Sequence, residues 1–278
     1  MSKFKVPAVL LLAIFALVTA GQAQQLLKKT TTKTDRLDFG AGGTIAIAGA
    51  PNGSITVVGS SKNEIEITAE IEIQAATEAD LKRLAAVTDF ITQESTGRFG
   101  VITVGTQNRV GDKKLWKNFP KALMGLPYRV DYKLSVPRYS DIEIDGGKGE
   151  LNISGIDGAL RVNYLEANAK IELNGGSSNV TIGTGTADVT IASKGWRGRS
   201  VDLQMVKGDL TVHLPTTISA EIDATILRTG KIENGFPGLK PRVRKGEFTD
   251  RSIVARAGNG GIPIKFTVGD GTLRLTDH

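Results

Sequence analysis

Residues 142–162 read IEIDGGKGELNISGIDGALRV. Three apolar-x-apolar triplets, Ile142-Glu143-Ile144, Leu151-Asn152-Ile153 and Leu160-Arg161-Val162, recur nine residues apart with glycine-bearing turns between them. The pattern continues with triplets beginning at Ile171, Val180, Val189, Val201 and Leu210, at intervals of 11, 9, 9, 12 and 9. Asp145-Gly146, Asp157-Gly158, Asn174-Gly175, Gly183, Gly195 and Gly208 separate them. A three-residue strand cannot bury its own apolar face, so an even beat of such strands implies coils that stack on one another. Taking every second triplet gives coils of 18–21 residues. Ile142, Ile144, Leu151, Ile153, Leu160 and Val162 then point inward, and Glu143, Asn152, Arg161 and Glu172 point outward. The glycines serve as corners, where a positive φ is needed. The expected fold is all-β, a β-solenoid of short strands. An antiparallel β-sandwich is the alternative, since it also alternates strands and turns.

Working back from residue 142, Tyr128-Arg129-Val130-Asp131-Tyr132-Lys133-Leu134-Ser135-Val136 reads as a strand closed by Pro137. Phe99 to Val104 reads as another. Thr77 to Phe90 shifts to helical spacing through Leu81, Leu84, Ala85 and Thr88, with Thr77 and Asp80 capping its start. Glu64 to Ile73 alternates strictly, describing a strand with one apolar and one acidic face. Gly43-Thr44-Ile45-Ala46-Ile47 and Gly53-Ser54-Ile55-Thr56-Val57 are two short units that start ten residues apart. Residues 24–37 are polar and Thr-rich, expected as a flexible lead-in. After Pro215 the beat weakens, although Ile262-Pro263-Ile264 and Leu273-Arg274-Leu275 suggest that strands resume. The expected organisation is one domain over 38–278, comprising 38–137 with a basic insertion at 106–127, a regular part at 138–214 and an irregular part at 215–278.

The first residues set the expected compartment. Lys3 and Lys5 precede an apolar run from Val6 to Ala20, and Gly21-Gln22-Ala23 offers a cleavage site. This is the pattern of a secretory signal peptide over 1–23, and the run is too short for a transmembrane anchor. The protein is therefore expected in the periplasm or outside the cell. It has no cysteine, which excludes a lipid-anchored N-terminal cysteine, a disulfide framework and thiolate metal sites.

The order of these segments carries a resemblance. A paired Gly-x-Ile-x-Ile start, a helix-containing segment, a Tyr-x-Leu-x-Val-Pro strand and Gly-separated triplets lead to Gly208-Asp209-Leu210-Thr211-Val212-His213-Leu214-Pro215 and Ala220-Glu221-Ile222-Asp223-Ala224. This order resembles the bacterial DUF4097-type adhesin-like domains, themselves similar in style to the head-GIN adhesin-like proteins, over roughly residues 38–240. The resemblance implies an exported β-solenoid and brings no catalytic or ligand residues. Residues 106–127 and the tail after Leu239 depart from its pattern.

Catalytic chemistry has little to work with. The two histidines are His213, inside a strand, and the terminal His278. A triad or a histidine zinc site needs more than one such group in place. Glu64, Glu66, Glu70 and Glu72 are the densest carboxylates, and a solvated strand face accounts for them. Gly146 to Leu151 resembles half of a calcium-binding nonapeptide repeat but holds Leu151 where Asp is required. No enzyme activity, cofactor or metal is expected.

The net charge of +6 is segregated: residues 109–133 carry seven basic and two acidic side chains, and residues 228–256 carry eight and three. Lys113, Lys114, Trp116, Lys117, Phe119 and Lys121 interleave cations with rings, which suits an anionic surface or a sugar. Trp196, Arg197 and Arg199 repeat the theme, and Lys240, Arg242, Arg244 and Lys245 enrich the tail. The competing role for these segments is to cover strand edges at an open end. The expected function is a non-catalytic, adhesin-like envelope scaffold that binds polyanions, glycans or another envelope protein. The alternatives are a polysaccharide-acting enzyme on a β-helix and a passive, self-associating structural protein. Export argues against nucleic acid.

Overall fold

The computed structural model describes residues 26–110, 113–193, 196–243 and 246–278. The segment read as a signal peptide lies outside them, as do Gly195, Arg244 and Lys245. Strands β1 (Leu27–Asp38), β2 (Thr44–Ala48), β3 (Ile55–Ser60) and β4 (Glu64–Ala75) precede helix α1 (Glu78–Ala85). There follow β5 (Asp89–Ser95), β6 (Arg98–Val104), the one-turn α2 (Lys113–Trp116) and β7 (Tyr128–Pro137). Five long strands come next: β8 (Asp141–Ser154), β9 (Leu160–Leu173), β10 (Gly175–Ile191), β11 (Arg197–Leu214) and β12 (Ala220–Asn234). β13 (Leu239–Pro241), β14 (Ser252–Ala257) and β15 (Ile262–Asp277) complete the chain. All of these strands belong to one hydrogen-bonded sheet, and the fold is all-β.

The nine-residue beat has a direct structural cause. β8, β9 and β10 pair in parallel with an offset of 18 residues, as in Ile142 with Leu160 and Leu160 with Ser178. Each long strand contains two triplets, so what reads as separate three-residue strands is one strand bent at its middle. In β8, Ile142 and Ile144 are buried before the bend, and Leu151 and Ile153 after it. Both arms bury their apolar residues in one contiguous core. Burying each such side chain stabilises the fold by about 1.5–3 kcal/mol. From β10 to β11 the offset grows to 22 and then 23 residues, with a register shift between Gly176 and Ser177. The expected 21 matched Val180 with Val201, whereas the register pairs Val180 with Leu203 and Val201 with Ser178.

The bend is set by glycine. Gly53, Gly149, Gly185, Gly208, Gly271 and Gly230 have φ between 124° and 143°, apart from Gly149 at 152°. The strand registers place these residues, with Ala167, in one row across the coils. A Cβ on Gly208 would lie 1.9 Å from the Gly185 carbonyl oxygen, and one on Gly271 would lie 1.8 Å from that of Gly208. Neighbouring coils therefore approach too closely at these glycines for a side chain, and β9 alone carries one in the row, the small Ala167. Of the glycines singled out in the sequence, Gly53, Gly149 and Gly208 have this role. Gly146, Gly158, Gly175 and Gly183 have no positive φ.

The stack does not fade after Pro215. β12 and β15 add two more parallel layers, in swapped order: β15 inserts between β11 and β12 and pairs with both. β14 and β13 then close one side in antiparallel fashion. At the other end, β2 and β3 pair with the two arms of β8, and β6 and β7 add parallel strands beyond them. β4 and β1 continue from β7 and β5 from β6, all antiparallel. The sandwich alternative thus fails for the parallel body, while antiparallel pairing does occur at the ends.

Two local expectations are corrected. Residues 27–38 are not a loose lead-in but a strand, paired with β4 from Leu27–Ala75 to Asp38–Glu64. Its polarity hid it, since β1 lies at the sheet edge with nearly every residue exposed. The helix ends at Ala85 rather than Phe90, and Phe90 belongs to β5, where it packs edge-on against Tyr132. Its start is as expected: Thr77 Oγ1 accepts from the Asp80 backbone N–H at 3.1 Å. Leu81 and Leu84 are buried, where α1 packs against β4 and β1.

Gly271→Ala should destabilise the protein by about 3 kcal/mol or more, through the carbonyl clash and the positive φ together. Gly40→Ala, with nothing within 4 Å of the new Cβ, should change stability by less than about 0.5 kcal/mol. Denaturant titration of the two variants distinguishes them.

Candidate functional site

The basic insertion grows from a corner. β6 ends at Val104 and β7 begins at Tyr128, so residues 105–127 replace the tight bend that joins first and second arms elsewhere. The base of the loop is tied: Gly105 and Asn108 exchange backbone hydrogen bonds of 3.0 and 3.1 Å, and Asn108 Nδ2 donates to the Thr103 carbonyl at 2.9 Å. Gly105 also leaves room for Tyr128, whose ring would lie 2.5 Å from a Cβ there.

The rings secure the loop rather than projecting from it. Trp116 and Phe119 pack with centroids 5.4 Å apart, and the Arg109 guanidinium lies 5.9 Å from the Trp116 ring centroid. Phe119 packs on the main core, and Leu123, in a 3₁₀ turn, is buried. The cations face out. Lys113, Lys114, Lys117 and Lys121 are exposed, and among the described residues no carboxylate lies within ion-pair reach of Lys113, Lys117 or Lys121. Leu115, unremarked in the sequence, is 49% exposed beside them.

Trp196 occupies a different place. Its turn joins the second arm of β10 to the first arm of β11, whereas the lysine loop joins a first arm to a second. The two groups therefore lie at opposite turns of the coil and do not form one surface. Trp196 packs partly buried against the core and covers Gly198, where a Cβ would lie 2.3 Å from the ring. The ring thus seats this turn, and Arg197 and Arg199 flank it exposed.

The remaining candidates are engaged in the sheet. His213 Nδ1 is 2.7 Å from Thr276 Oγ1, and its Nε2 is 3.0 Å from Asp188 Oδ1, so three neighbouring strands are joined on an open outer face. Glu64 and Glu66 pair with Arg36 and Lys62, and Glu72 pairs with Lys28. The Lys62 and Arg36 side chains hold Glu64 below the usual carboxylate range. Among the described residues no cluster of three His, Asp or Glu side chains is placed to hold a metal ion. No helix there is long and apolar enough to cross a membrane.

Three buried phenols brace the region under the loop and its neighbouring corner. Tyr132 OH and Thr103 Oγ1 lie 2.8 Å apart, and Tyr164 OH donates to the Gly53 carbonyl at 3.0 Å. Burial pushes Tyr128 and Tyr164 up to about 12 and raises Tyr132 further. Raised folded values mean stability that is complete below the usual phenol value of about 10 and is lost as pH rises through about 12. Phenolate absorbance and far-ultraviolet circular dichroism should therefore change together in that window. Full ionisation of these phenols with the fold intact would contradict the assignment.

No family model matches the sequence, and no curated protein matches it. Solved structures do. A candidate cell adhesion protein from Clostridium sporogenes is 14% identical with a TM-score of 0.50, over 90% of this chain and 100% of that one. A candidate adhesin from Bacteroides fragilis is 12% identical with a TM-score of 0.31, over 89% and 97%. At such identity the likeness to the first is one of fold.

Proposed function

We propose that the protein is an exported, non-catalytic, adhesin-like scaffold of the DUF4097 type, which binds anionic glycans or surfaces of the cell envelope through the loop at 105–127. The observation that carries this reading is a cluster of exposed lysines gathered on one loop whose rings are packed down. Lys113, Lys117 and Lys121 stand exposed without a carboxylate partner among the described residues, on a segment fixed by Trp116, Phe119 and Leu123. Unpaired cations held in place meet a polyanion without first breaking a bond to the protein, and the attraction is screened by salt. The described name of the Clostridium structure agrees with a binding role.

Self-association is a second reading, supported by the exposed edge of β1, twelve residues long. Lys28, Lys29 and Lys33 on that edge work against it, as charges on edge strands oppose strand addition.

The test is co-sedimentation of the purified protein with cell-envelope fractions at low and high salt. A variant with Lys113, Lys114, Lys117 and Lys121 changed to Ser runs in parallel. Binding should fall with salt and be largely lost in the variant. Binding by the variant equal to wild type, or no binding at any salt, would remove the anionic-surface reading.

A further inference from the structure

A second surface lies on the outer face of the second arms, and at one end it reaches Arg129, close to where the lysine loop rejoins β7. Strand alternation sends Glu150, Asn168, Thr186 and Asp209 outward, and parallel register sets them in one row across β8, β9, β10 and β11. Two residues on, Asn152, Lys170, Asp188, Thr211 and Arg274 form a second row that reaches β15. Adjacent members of a row are about 4.8 Å apart. A cavity of 390 Å³ lies between the rows. A second, of 410 Å³, adjoins it over the glycine corner and shares Glu150 and Asn168. The two make one elongated groove running across the coils.

Its chemistry differs from that of the loop. Arg129, Lys148, Lys170 and Arg274 are matched by Glu150, Glu166, Asp188 and Asp209, so the lining is charge-balanced. Several of these groups are already held. Thr186 Oγ1 donates to Asn168 Oδ1 at 3.0 Å, which leaves the Asn168 amide nitrogen available as a donor. The Thr272 backbone N–H donates to Asp209 at 3.0 Å, Asp188 contacts His213, and Lys148 pairs with Glu166 at 2.9 Å. The walls carry donors and acceptors side by side, and the apolar side chains among them are alanines.

We infer that this groove binds an uncharged oligosaccharide laid across the coils. A balanced wall gives a polyanion no net attraction, and its carboxylates repel one. A peptide would find no apolar pocket for its side chains. A sugar hydroxyl both donates and accepts, and a chain of hydroxylated rings matches a long groove of mixed, pre-positioned partners. Without a ring for stacking, each contact is weak, and affinity grows with the length of the chain.

The test is amide nuclear magnetic resonance of the purified protein with neutral hexasaccharides of glucose in β-1,4 linkage, glucose in α-1,4 linkage and N-acetylglucosamine in β-1,4 linkage. A heparin-derived hexasaccharide serves as the anionic arm. At least one neutral hexasaccharide should shift the amides around Asn168, Thr186 and Asp209, equally at low and high salt. Asn168→Ala should weaken that binding about tenfold by removing donor and acceptor together. The isosteric Asp188→Asn keeps the proposal testable if Asn168→Ala fails to fold, and it should weaken binding measurably. The Lys-to-Ser loop variant should bind the neutral sugar as wild type does, so failure here is separable from failure of the anionic reading. Absence of groove shifts with all three neutral sugars, or groove shifts with the heparin fragment alone, overturns the inference.

Discussion

The structure depends on how closely the backbones of successive coils approach at one corner. The Gly208 and Gly271 positions leave less than 2 Å between a would-be Cβ and the carbonyl oxygen of the adjoining coil. At those positions glycine with positive φ lets the strand bend and keep its hydrogen bonds on either side. From that constraint follows the two-armed coil. Each arm is short, each has one face toward the common core, and neither could be stable by itself. Ala167 shows the limit of the rule: it occupies the same row without positive φ and is buried.

Stacking at constant offset has a second consequence. Side chains one coil apart, eighteen residues in β8, β9 and β10, become neighbours on one face, so the outside of the protein is organised in rows. Within the rows, opposite charges and hydrogen-bonding pairs meet across strands, as in Arg98 with Glu143 and Arg274 with Glu233. Each exposed pair contributes about 0–1 kcal/mol, so the rows decorate the fold rather than hold it together. The ends are handled differently. At one, the core runs out into the polar β1, tied across to β5 by Lys33 and Asp89. At the other, β14 and β13 cover the first arm of β12, and Ile232 donates its backbone N–H to the Asp250 carbonyl on the second.

Much of this was legible from residues 142–212. All six residues assigned to the interior there, from Ile142 to Val162, are buried. The period was readable because burial repeats with it. The corner glycines were less so, because a turn signal such as Asp145-Gly146 looks the same whether or not its φ is positive. β1 escaped notice because an edge strand needs no apolar face. The position of β15 between β11 and β12 was unreadable, since two apolar triplets carry no record of which neighbour they join. The loop at 105–127 was found by its composition, but the roles of its rings were not. Trp116 and Trp196 look alike in sequence and sit at opposite turns. The 18-residue coil already aligns Glu150, Asn168 and Thr186, but Asp209 joins their row only through the 23-residue offset between β10 and β11.

Two surfaces then share one scaffold: a cationic loop grown from a corner, and a charge-balanced groove over the second arms. The stack beneath them runs on past the groove through β15, which joins β11 to β12. Amide hydrogen exchange along β15 tests this most directly. With hydrogen bonds to β11 on one side and β12 on the other, Phe266, Val268, Leu273 and Leu275 should exchange only through global unfolding, as slowly as Val212 in β11. Exchange of β15 that is orders of magnitude faster than that of β11 would mean that the C-terminal strand opens by itself, and would contradict the continuous stack.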